Sequence, residues 1–178
     1  MSEQISAVAA LHSLYICHRD LKIENWVLES GDDLWSPLKL IDFGLSTHYT
    51  PGHRLSRAVG SSYYIAPQVL KKSYTESCDL WSLGVIAYML LSGAPPFFGS
   101  SEDDIKASIL KGEYSFPKEL FGDVSKDAME FVICLLTYEE EERCTALEAL
   151  HHPWLAAKCK PEQLDRCKAN FEGFRPVY

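Results

Sequence analysis

The chain has 178 residues, of which 47% are hydrophobic and 24% charged, so it is long enough for one globular domain with a substantial core. Its net charge of -8 at pH 7 argues against non-specific binding to nucleic acid or to an anionic membrane surface. Its longest apolar stretch is too short and too interrupted to span a bilayer, and no signal peptide is visible, so we expect a cytoplasmic protein.

The first half of the chain predicts one helix, two short strands and a long loop. Apolar residues at helical spacing predict a helix over residues 3–15. Two short apolar runs, residues 26–28 and 38–41, predict strands joined by a turn-rich loop over residues 31–37. Residues 46–67 lack periodicity and are rich in Ser, Gly and Pro, which predicts a long loop that is either functional or mobile.

The second half predicts a series of helices. Residues 80–91 are apolar on nearly every face, which is typical of a helix at the centre of a domain, and Gly93 ends it. Ser101, Ser125 and Thr145 each precede a helical pattern and are expected to be N-caps. We therefore expect a mainly α-helical fold with a small β element near the start of the chain.

The acidic runs favour solvent-exposed turns over metal sites. Residues 139–142 are most simply a solvated turn, and residues 32–33 and 102–104 lack the spacing of an EF-hand loop. We therefore expect no calcium site within this chain. A helix predicted over residues 162–171 is either the start of a regulatory segment or a segment that packs against the domain.

The cysteines and the paired histidines also have two interpretations each. The cysteines contain no C-x-x-C pair, which favours reduced structural thiols over a disulfide framework. Adjacent side chains point in different directions, so His151 and His152 favour a helix end over a metal site. The cysteines are Cys17, Cys78, Cys134, Cys144, Cys159 and Cys167.

Two short strings carry the chemistry of the sequence. Residues 18–25 read His-Arg-Asp-Leu-Lys-Ile-Glu-Asn, and residues 42–44 read Asp-Phe-Gly. A carboxylate can accept a hydroxyl proton, an ammonium can neutralise a phosphoryl group, and carboxylate and amide oxygens are ligands that Mg²⁺ prefers. Together the strings supply the groups that phosphoryl transfer requires.

With these strings and three further segments, the chain resembles the C-terminal lobe of a eukaryotic serine/threonine protein kinase. The segments Val-Gly-Ser-Ser-Tyr-Tyr-Ile-Ala-Pro (59–67), Asp-Leu-Trp-Ser-Leu-Gly-Val-Ile (79–86) and Ser-Gly-Ala-Pro-Pro-Phe (92–97) are similar to those of calcium-dependent and calmodulin-dependent kinases. The resemblance implies a kinase C-terminal lobe over residues 1–155, without the N-terminal β-rich lobe, followed by a tail over residues 156–178.

The resemblance also implies a role for each matched residue. Asp20 and Lys22 are the expected catalytic residues: Asp20 accepts or orients the hydroxyl proton, and Lys22 neutralises charge on the transferred group. Lys22, Asn25 and Asp42 are expected to bind ATP, with Asn25 and Asp42 holding Mg²⁺. Residues expected to shape the activation and substrate loops are Arg19, Glu24, Phe43, Gly44 and Ser61. The expected scaffold residues are His18, Asp79, Gln68 and Arg143.

Two of these positions depart from the family pattern. Gln68 replaces the glutamate that normally pairs with the residue at Arg143, so the charge-assisted part of that bond, ~1–3 kcal/mol in a buried site, is expected to be lost. In the family, the residue at Arg19 normally contacts a phosphorylated or acidic residue of the activation loop. The matching position here lies near Arg57, whose positive charge cannot pair with Arg19. Ser56 is either a phosphorylation site or an ordinary loop serine.

The expected function is transfer of the ATP γ-phosphoryl group to Ser or Thr hydroxyls of protein substrates. The sequence has no glycine-rich loop and no V-A-I-K lysine, so this chain, as a truncated kinase domain, is expected to bind ATP weakly and to be inactive alone. The alternative is a catalytically inactive, kinase-like scaffold or binding module. The surface around Val27, Phe43 and the first helix is expected to bind a complementary N-terminal lobe or to drive self-association.

Overall fold

A computed structural model describes residues 1–30, 36–157, 167, 169–170 and 173. Within them the chain is mainly helical with a few short strands, so the predicted fold class is confirmed. The helices are α1 (Ser2–Ser13), α2 (Pro67–Leu70), α3 (Cys78–Ser92), α4 (Glu102–Lys111), α5 (Lys118–Phe121), α6 (Lys126–Leu135), α7 (Ala146–Leu150) and α8 (Pro153–Ala156). The strands are β1 (Ile16–Cys17), β2 (Trp26–Leu28), β3 (Leu38–Leu40) and β4 (Thr47–His48). In this part of the chain, no helix combines the length and the apolar character that a membrane span needs.

Helix α3 lies at the centre of the domain, as its apolar sequence predicts. Every residue of α3 except Leu90 is buried, and the helix ends at Gly93, where φ is 78°. Helix α6 packs closely on α3 at Gly84, because a Cβ atom there would lie 2.8 Å from the Leu136 side chain. Helix α1 closes another side by packing on α7. The first turn of α3 is therefore buried in the core of the domain.

The three predicted N-caps are confirmed. The side chains of Ser101, Ser125 and Thr145 each accept a hydrogen bond from the backbone amide three residues further on. Glu148 completes a capping box by accepting from the Thr145 amide. These signals are local, so the sequence reveals them without any knowledge of the tertiary structure.

The strands form two small antiparallel pairs. The two predicted strands are confirmed as β2 and β3, and the structure pairs them with Trp26 opposite Leu40. The loop over residues 31–35 lies outside the described residues. The second pair, β1 with β4, was not predicted and places Ile16 opposite His48. Each of its strands has two residues, which is too short for a periodic pattern to be visible.

One expectation is wrong and another holds only in part, because both depend on contacts between residues that are not neighbours in the sequence. Cys134 and Cys144 form a disulfide, although reduced thiols were expected. The turn between α6 and α7 brings their Cα atoms to 5.8 Å, a separation typical of a disulfide. Residues 139–142 form the expected turn with Glu139, Glu141 and Glu142 exposed, but Glu140 is 8% exposed and accepts a hydrogen bond from Arg54.

The helix-end interpretation of the paired histidines is confirmed. His151 contacts a carbonyl of α7, and His152 caps α8 by accepting from the Trp154 amide. The tail helix predicted over residues 162–171 falls largely outside the described residues. Of those described, Asn170 donates a hydrogen bond of 2.7 Å to a carbonyl in the last turn of α3.

Candidate active site

The loop over residues 18–25, here called the catalytic loop, is held from below by the first turn of α3. The Asp79 carboxylate accepts hydrogen bonds of 2.8 Å from the amides of both His18 and Arg19. Its third partner is Nε2 of His12, at 3.0 Å. Burial alone would raise the pKa of Asp79, but these hydrogen bonds hold that pKa below its usual value. The contacts fix Arg19 in a left-handed conformation, with φ of 68°.

Asp20 sits where the catalytic loop meets the loop over residues 46–66, here called the 46–66 loop. One oxygen of its carboxylate accepts hydrogen bonds from the Ser61 amide at 3.0 Å and from the Ser61 hydroxyl at 2.8 Å. The other oxygen is 3.2 Å from the Lys22 ammonium. Asp20 is only 8% exposed. The structure therefore orients a proton-accepting carboxylate from two sides.

The β2–β3 pair brings Asn25 and Asp42 to one end of the hairpin. Asn25 immediately precedes β2, Asp42 follows β3 by two residues, and the Ile41 amide donates to the Asn25 carbonyl at 3.0 Å. Asn25 donates its amide hydrogen to the Asp20 carbonyl at 2.9 Å, so its amide oxygen is the atom it can offer to a cation. Asp42 is exposed and accepts from the Gly44 amide at 3.1 Å.

These donors suit a small, hard cation. An exposed carboxylate and an amide oxygen are the oxygen ligands that Mg²⁺ takes in proteins, usually together with water and phosphate oxygens. Asn25 and Asp42 therefore fit the predicted Mg²⁺ site in chemistry and in placement.

His18 and Phe43 connect the catalytic loop to the exposed turn. Their ring centroids are 5.1 Å apart, with His18 fully buried and Phe43 48% exposed. Burial lowers the pKa of His18 from its ordinary value, although several nearby carboxylates oppose this effect. Val27 and Ile41 are also partly exposed. Phe43 is thus the predicted neighbour of His18, and its side chain is half exposed to solvent.

Arg19 contacts a backbone carbonyl and a tyrosine hydroxyl. Its guanidinium donates to the Leu45 carbonyl at 2.7 Å and lies 3.3 Å from the Tyr74 hydroxyl. The Tyr74 hydroxyl in turn donates to the Arg57 carbonyl at 2.7 Å. The role of Tyr74 could not be predicted from the sequence, because a single tyrosine after a helix carries no signal of a contact over 55 residues.

Gln68 and Arg143 are joined, as the sequence suggested. Nη2 of Arg143 donates to the Gln68 amide oxygen at 3.1 Å and to the Tyr138 carbonyl at 3.1 Å, and the Gln68 amide group donates to the same carbonyl. The guanidinium also lies 5.1 Å from the centre of the Trp81 ring. Burial lowers the pKa of Arg143 to about 10, so the side chain remains charged at neutral pH. This network anchors the end of the 46–66 loop to the core.

A cavity of about 610 Å³ opens beside Ser61. It separates the end of the 46–66 loop from the start of α4. Glu24, an exposed carboxylate of the catalytic loop, accepts a hydrogen bond from Tyr64 at 3.4 Å. Because Ser61 also contacts Asp20, a chain lying in this cavity would pass close to the oriented carboxylate. The lining residues are Gly60, Ser61, Ser62, Tyr63, Gly99, Ser100, Ser101, Glu102 and Ile105.

Beneath the site, Cys17 and Cys78 form a buried thiol pair beside Asp79. The two sulfur atoms are 3.5 Å apart, and with the carboxylate they place three potential metal ligands within 4.8 Å of one another. The hydrogen bond to Cys78, followed by burial, raises the pKa of Cys17 well above its usual value, so this thiol stays protonated. Because the Asp79 carboxylate is already used by the catalytic loop, we interpret the cluster as core packing.

Comparison with known proteins identifies related sequences over most of the chain. The family model for the protein kinase domain matches residues 1–155. Calcium-dependent protein kinase 1 of Oryza sativa subsp. japonica is 45% identical over 154 residues, which cover 86% of this chain and 29% of the relative. CDPK-related kinase 7 of Arabidopsis thaliana is 46% identical over 155 residues, which cover 87% of this chain and 27% of the relative. The chain thus spans less than a third of the length of these relatives.

Proposed function

The chain belongs to the protein kinase domain family, and from this premise we propose that it is the C-terminal lobe of a serine/threonine kinase of the calcium-dependent group. The complete kinase would transfer the γ-phosphoryl group of ATP to Ser or Thr hydroxyls of cytoplasmic proteins. The identity of 45% to calcium-dependent protein kinase 1 of Oryza sativa supports the choice of group. Residues 1–155 would form the lobe, and residues 156–178 a tail.

One observation carries this proposal: the Asp20 carboxylate is oriented by both Ser61 and Lys22. Ser61 engages one oxygen with two hydrogen bonds, so the carboxylate presents a defined direction to an incoming hydroxyl. Asp20 would accept or orient the proton of that hydroxyl. Lys22, at 3.2 Å from the other oxygen, would neutralise charge on the transferred phosphoryl group.

Asn25 and Asp42 would hold Mg²⁺, which neutralises charge on the ATP phosphates when it is bound. Their role in this chain is to fix the phosphate end of the nucleotide at the open end of the hairpin. The sequence contains no glycine-rich loop and no V-A-I-K lysine, so the adenine end would need groups that these 178 residues do not supply. We therefore expect weak ATP binding and negligible phosphotransfer by this chain alone.

The protein substrate would lie in the cavity beside Ser61. That position would bring a substrate hydroxyl to Asp20, and the exposed Glu24 carboxylate would attract a basic residue of the same peptide. A complementary N-terminal lobe, or a second copy of the chain, would cover the partly exposed side chains of Val27 and Phe43.

A catalytically inactive scaffold is the second candidate function. It is favoured by Gln68, which meets Arg143 through an amide oxygen where the family has a carboxylate. The 46–66 loop is nevertheless anchored through this bond. A scaffold would keep the fold and the cavity without needing the charge of Asp20.

Peptide phosphorylation by the purified chain tests these alternatives. The chain would be incubated with Mg²⁺, radiolabelled ATP and a basic serine peptide, with and without an added N-terminal lobe from a calcium-dependent protein kinase. We expect phosphotransfer only with the added lobe, and we expect Asp20→Asn to abolish it. Phosphotransfer that is absent under both conditions would favour the scaffold. Phosphotransfer that is unchanged in Asp20→Asn would refute the role given to Asp20.

A further inference from the structure

Arg54 joins the 46–66 loop to two other parts of the chain. Its guanidinium donates to the Ser73 hydroxyl at 2.7 Å, to the Ser73 carbonyl at 2.7 Å and to a Glu140 oxygen at 2.9 Å. Glu141 lies 3.8 Å away. The three hydrogen bonds come from Nε and Nη2 of the planar guanidinium, a fixed set of donors that lysine cannot reproduce.

Glu140 is an unusual partner because its side chain is only 5% exposed, compared with 43% for Arg54. One carboxylate oxygen accepts from Arg54, and the other has no hydrogen-bond partner among the described residues. A buried carboxylate is tolerated only where a charged partner compensates for the loss of water. The burial of Glu140 therefore depends on Arg54, and a charge-assisted bond of this kind is stronger than one at the surface.

The contact continues from Arg54 to the catalytic loop. The next residue, Leu55, exchanges two backbone hydrogen bonds with Tyr74, at 2.7 and 3.1 Å. The Tyr74 hydroxyl bonds the Arg57 carbonyl and lies 3.3 Å from the Arg19 guanidinium. The middle of the 46–66 loop is thus pinned to residues 73–74 by side-chain and backbone hydrogen bonds together. Only three residues separate Arg57 from Ser61, which bonds Asp20.

We propose that Arg54 is a positioning residue: its bond to Glu140 holds the 46–66 loop so that Ser61 reaches Asp20. The inference rests on the proposed function for the role given to Asp20. The arginine of the catalytic loop, Arg19, contacts the Leu45 carbonyl and the Tyr74 hydroxyl, and the segment around Tyr74 is the one that Arg54 holds. The charge that fixes the loop is supplied by the chain itself.

Single-residue amide exchange, measured by NMR on the phosphatase-treated 178-residue chain, tests the proposal. The reporters are the amides of Leu55, Tyr74 and Ser61, and the amides of α3 are the internal reference. We expect protection of all three reporters in the wild type. In Glu140→Gln, which keeps the shape of the side chain, we expect their exchange to be at least about tenfold faster while exchange in α3 stays within about twofold.

Two further variants make the result specific. Glu142→Gln removes the same charge from an exposed carboxylate of the same acidic run, and it should leave the reporters unchanged. Arg54→Met should raise the exchange rates at least as much as Glu140→Gln does, because it also removes the two hydrogen bonds to Ser73. Adding Glu140→Gln to Arg54→Met should cause no further loss of protection, because the contact between the two side chains is already gone. Unchanged reporters in Glu140→Gln would overturn the proposal, as would an equal loss of protection throughout α3 or a Ser61 amide protected only after phosphorylation.

Failure of the positioning role can be distinguished from failure of the proposed kinase activity. Phosphotransfer would be measured on the same variants with the added N-terminal lobe. A chain without phosphotransfer whose Ser61 protection still depends on Glu140 would retain the positioning contact and refute the proposed activity. A chain with phosphotransfer that is unaffected by Glu140→Gln would retain the activity and refute the positioning role.

Discussion

The catalytic loop and the Asp42–Gly44 turn contribute to the same candidate site, but they are supported in opposite ways. The catalytic loop packs on the first turn of α3, where one carboxylate, Asp79, accepts hydrogen bonds from two of its backbone amides. The Asp42–Gly44 turn is exposed, and Asp42 accepts a hydrogen bond from within the turn itself. His18 and Phe43 form the contact between the two regions.

This difference separates stability from ligand binding within one site. Asp79 satisfies buried donors, so its loss leaves amides without partners in the core. Asp42 is hydrated, so its charge costs little before a ligand arrives and remains available to a cation. Substitutions in the first region should therefore affect folding, and substitutions in the second should affect binding.

The largest effect is expected for Asp79→Ala. The change removes the acceptor of the His18 and Arg19 amides and leaves buried donors unsatisfied, so the free energy of unfolding should fall by ~3–5 kcal/mol. Urea unfolding monitored by tryptophan fluorescence measures this value. Asp123→Ala, at an exposed position, is the matched control and should change stability by less than ~0.5 kcal/mol. Similar stabilities for the two variants would remove the distinction between the regions.

A smaller, pH-dependent effect is expected at the contact between the regions. Burial lowers the pKa of His18, so below pH 6.5 the unfolded chain takes up a proton that the folded chain still excludes. The contribution of His18 to stability should therefore fall as the pH falls from 6.5 to the lowered folded-state pKa. His18→Phe, which keeps an aromatic ring against Phe43, should lack this part of the pH dependence.

Urea unfolding of the wild type and His18→Phe at about pH 7.5 and about pH 5.5 checks this expectation. His53→Phe, at an exposed histidine, is the control and should keep the wild-type pH dependence. A His18→Phe variant with an unaltered pH dependence would show that the buried ring does not titrate between the two states in this range.

The smallest change in stability is expected for Asp42→Asn, at less than ~0.5 kcal/mol. The same variant should weaken Mg²⁺ binding by about tenfold or more, equivalent to ~1.4 kcal/mol, because a charged oxygen ligand is lost. The Gly44 amide donates to Asp42, so its chemical shift during a Mg²⁺ titration is a direct measurement. Asp123→Asn should bind Mg²⁺ as the wild type does. An Asp42→Asn variant that is as unstable as Asp79→Ala would contradict the comparison.

Features with a local cause could be read from the sequence. The caps at Ser101, Ser125 and Thr145 depend on residues within one turn, and the burial of α3 follows from its apolar faces. The strands β2 and β3 could be predicted because two apolar runs flank a turn-rich loop. The residues of the catalytic loop and Asp42 could also be identified from the sequence, because each motif consists of neighbouring residues.

Features that depend on contacts between separate elements of the fold could not be predicted in this way. The β1–β4 pair joins residues about thirty positions apart through strands of two residues, below the length at which alternation is visible. The Cys134–Cys144 disulfide depends on how the turn after α6 returns to α7. Glu140 lies in an acidic run that looks solvated, and its burial is explained only by Arg54, which is 86 residues away.

The sequence by itself determined which chemical groups the site contains and the order of most helices. The reason is that motifs and amphipathic patterns each involve only a few neighbouring residues. Only the tertiary structure decided how those groups are supported: Asp20 between Ser61 and Lys22, the catalytic loop on Asp79, and the 46–66 loop on Glu140. The physical reason is that each support is a hydrogen bond to a buried or partly buried carboxylate. Whether a carboxylate is buried depends on the packing of the whole chain.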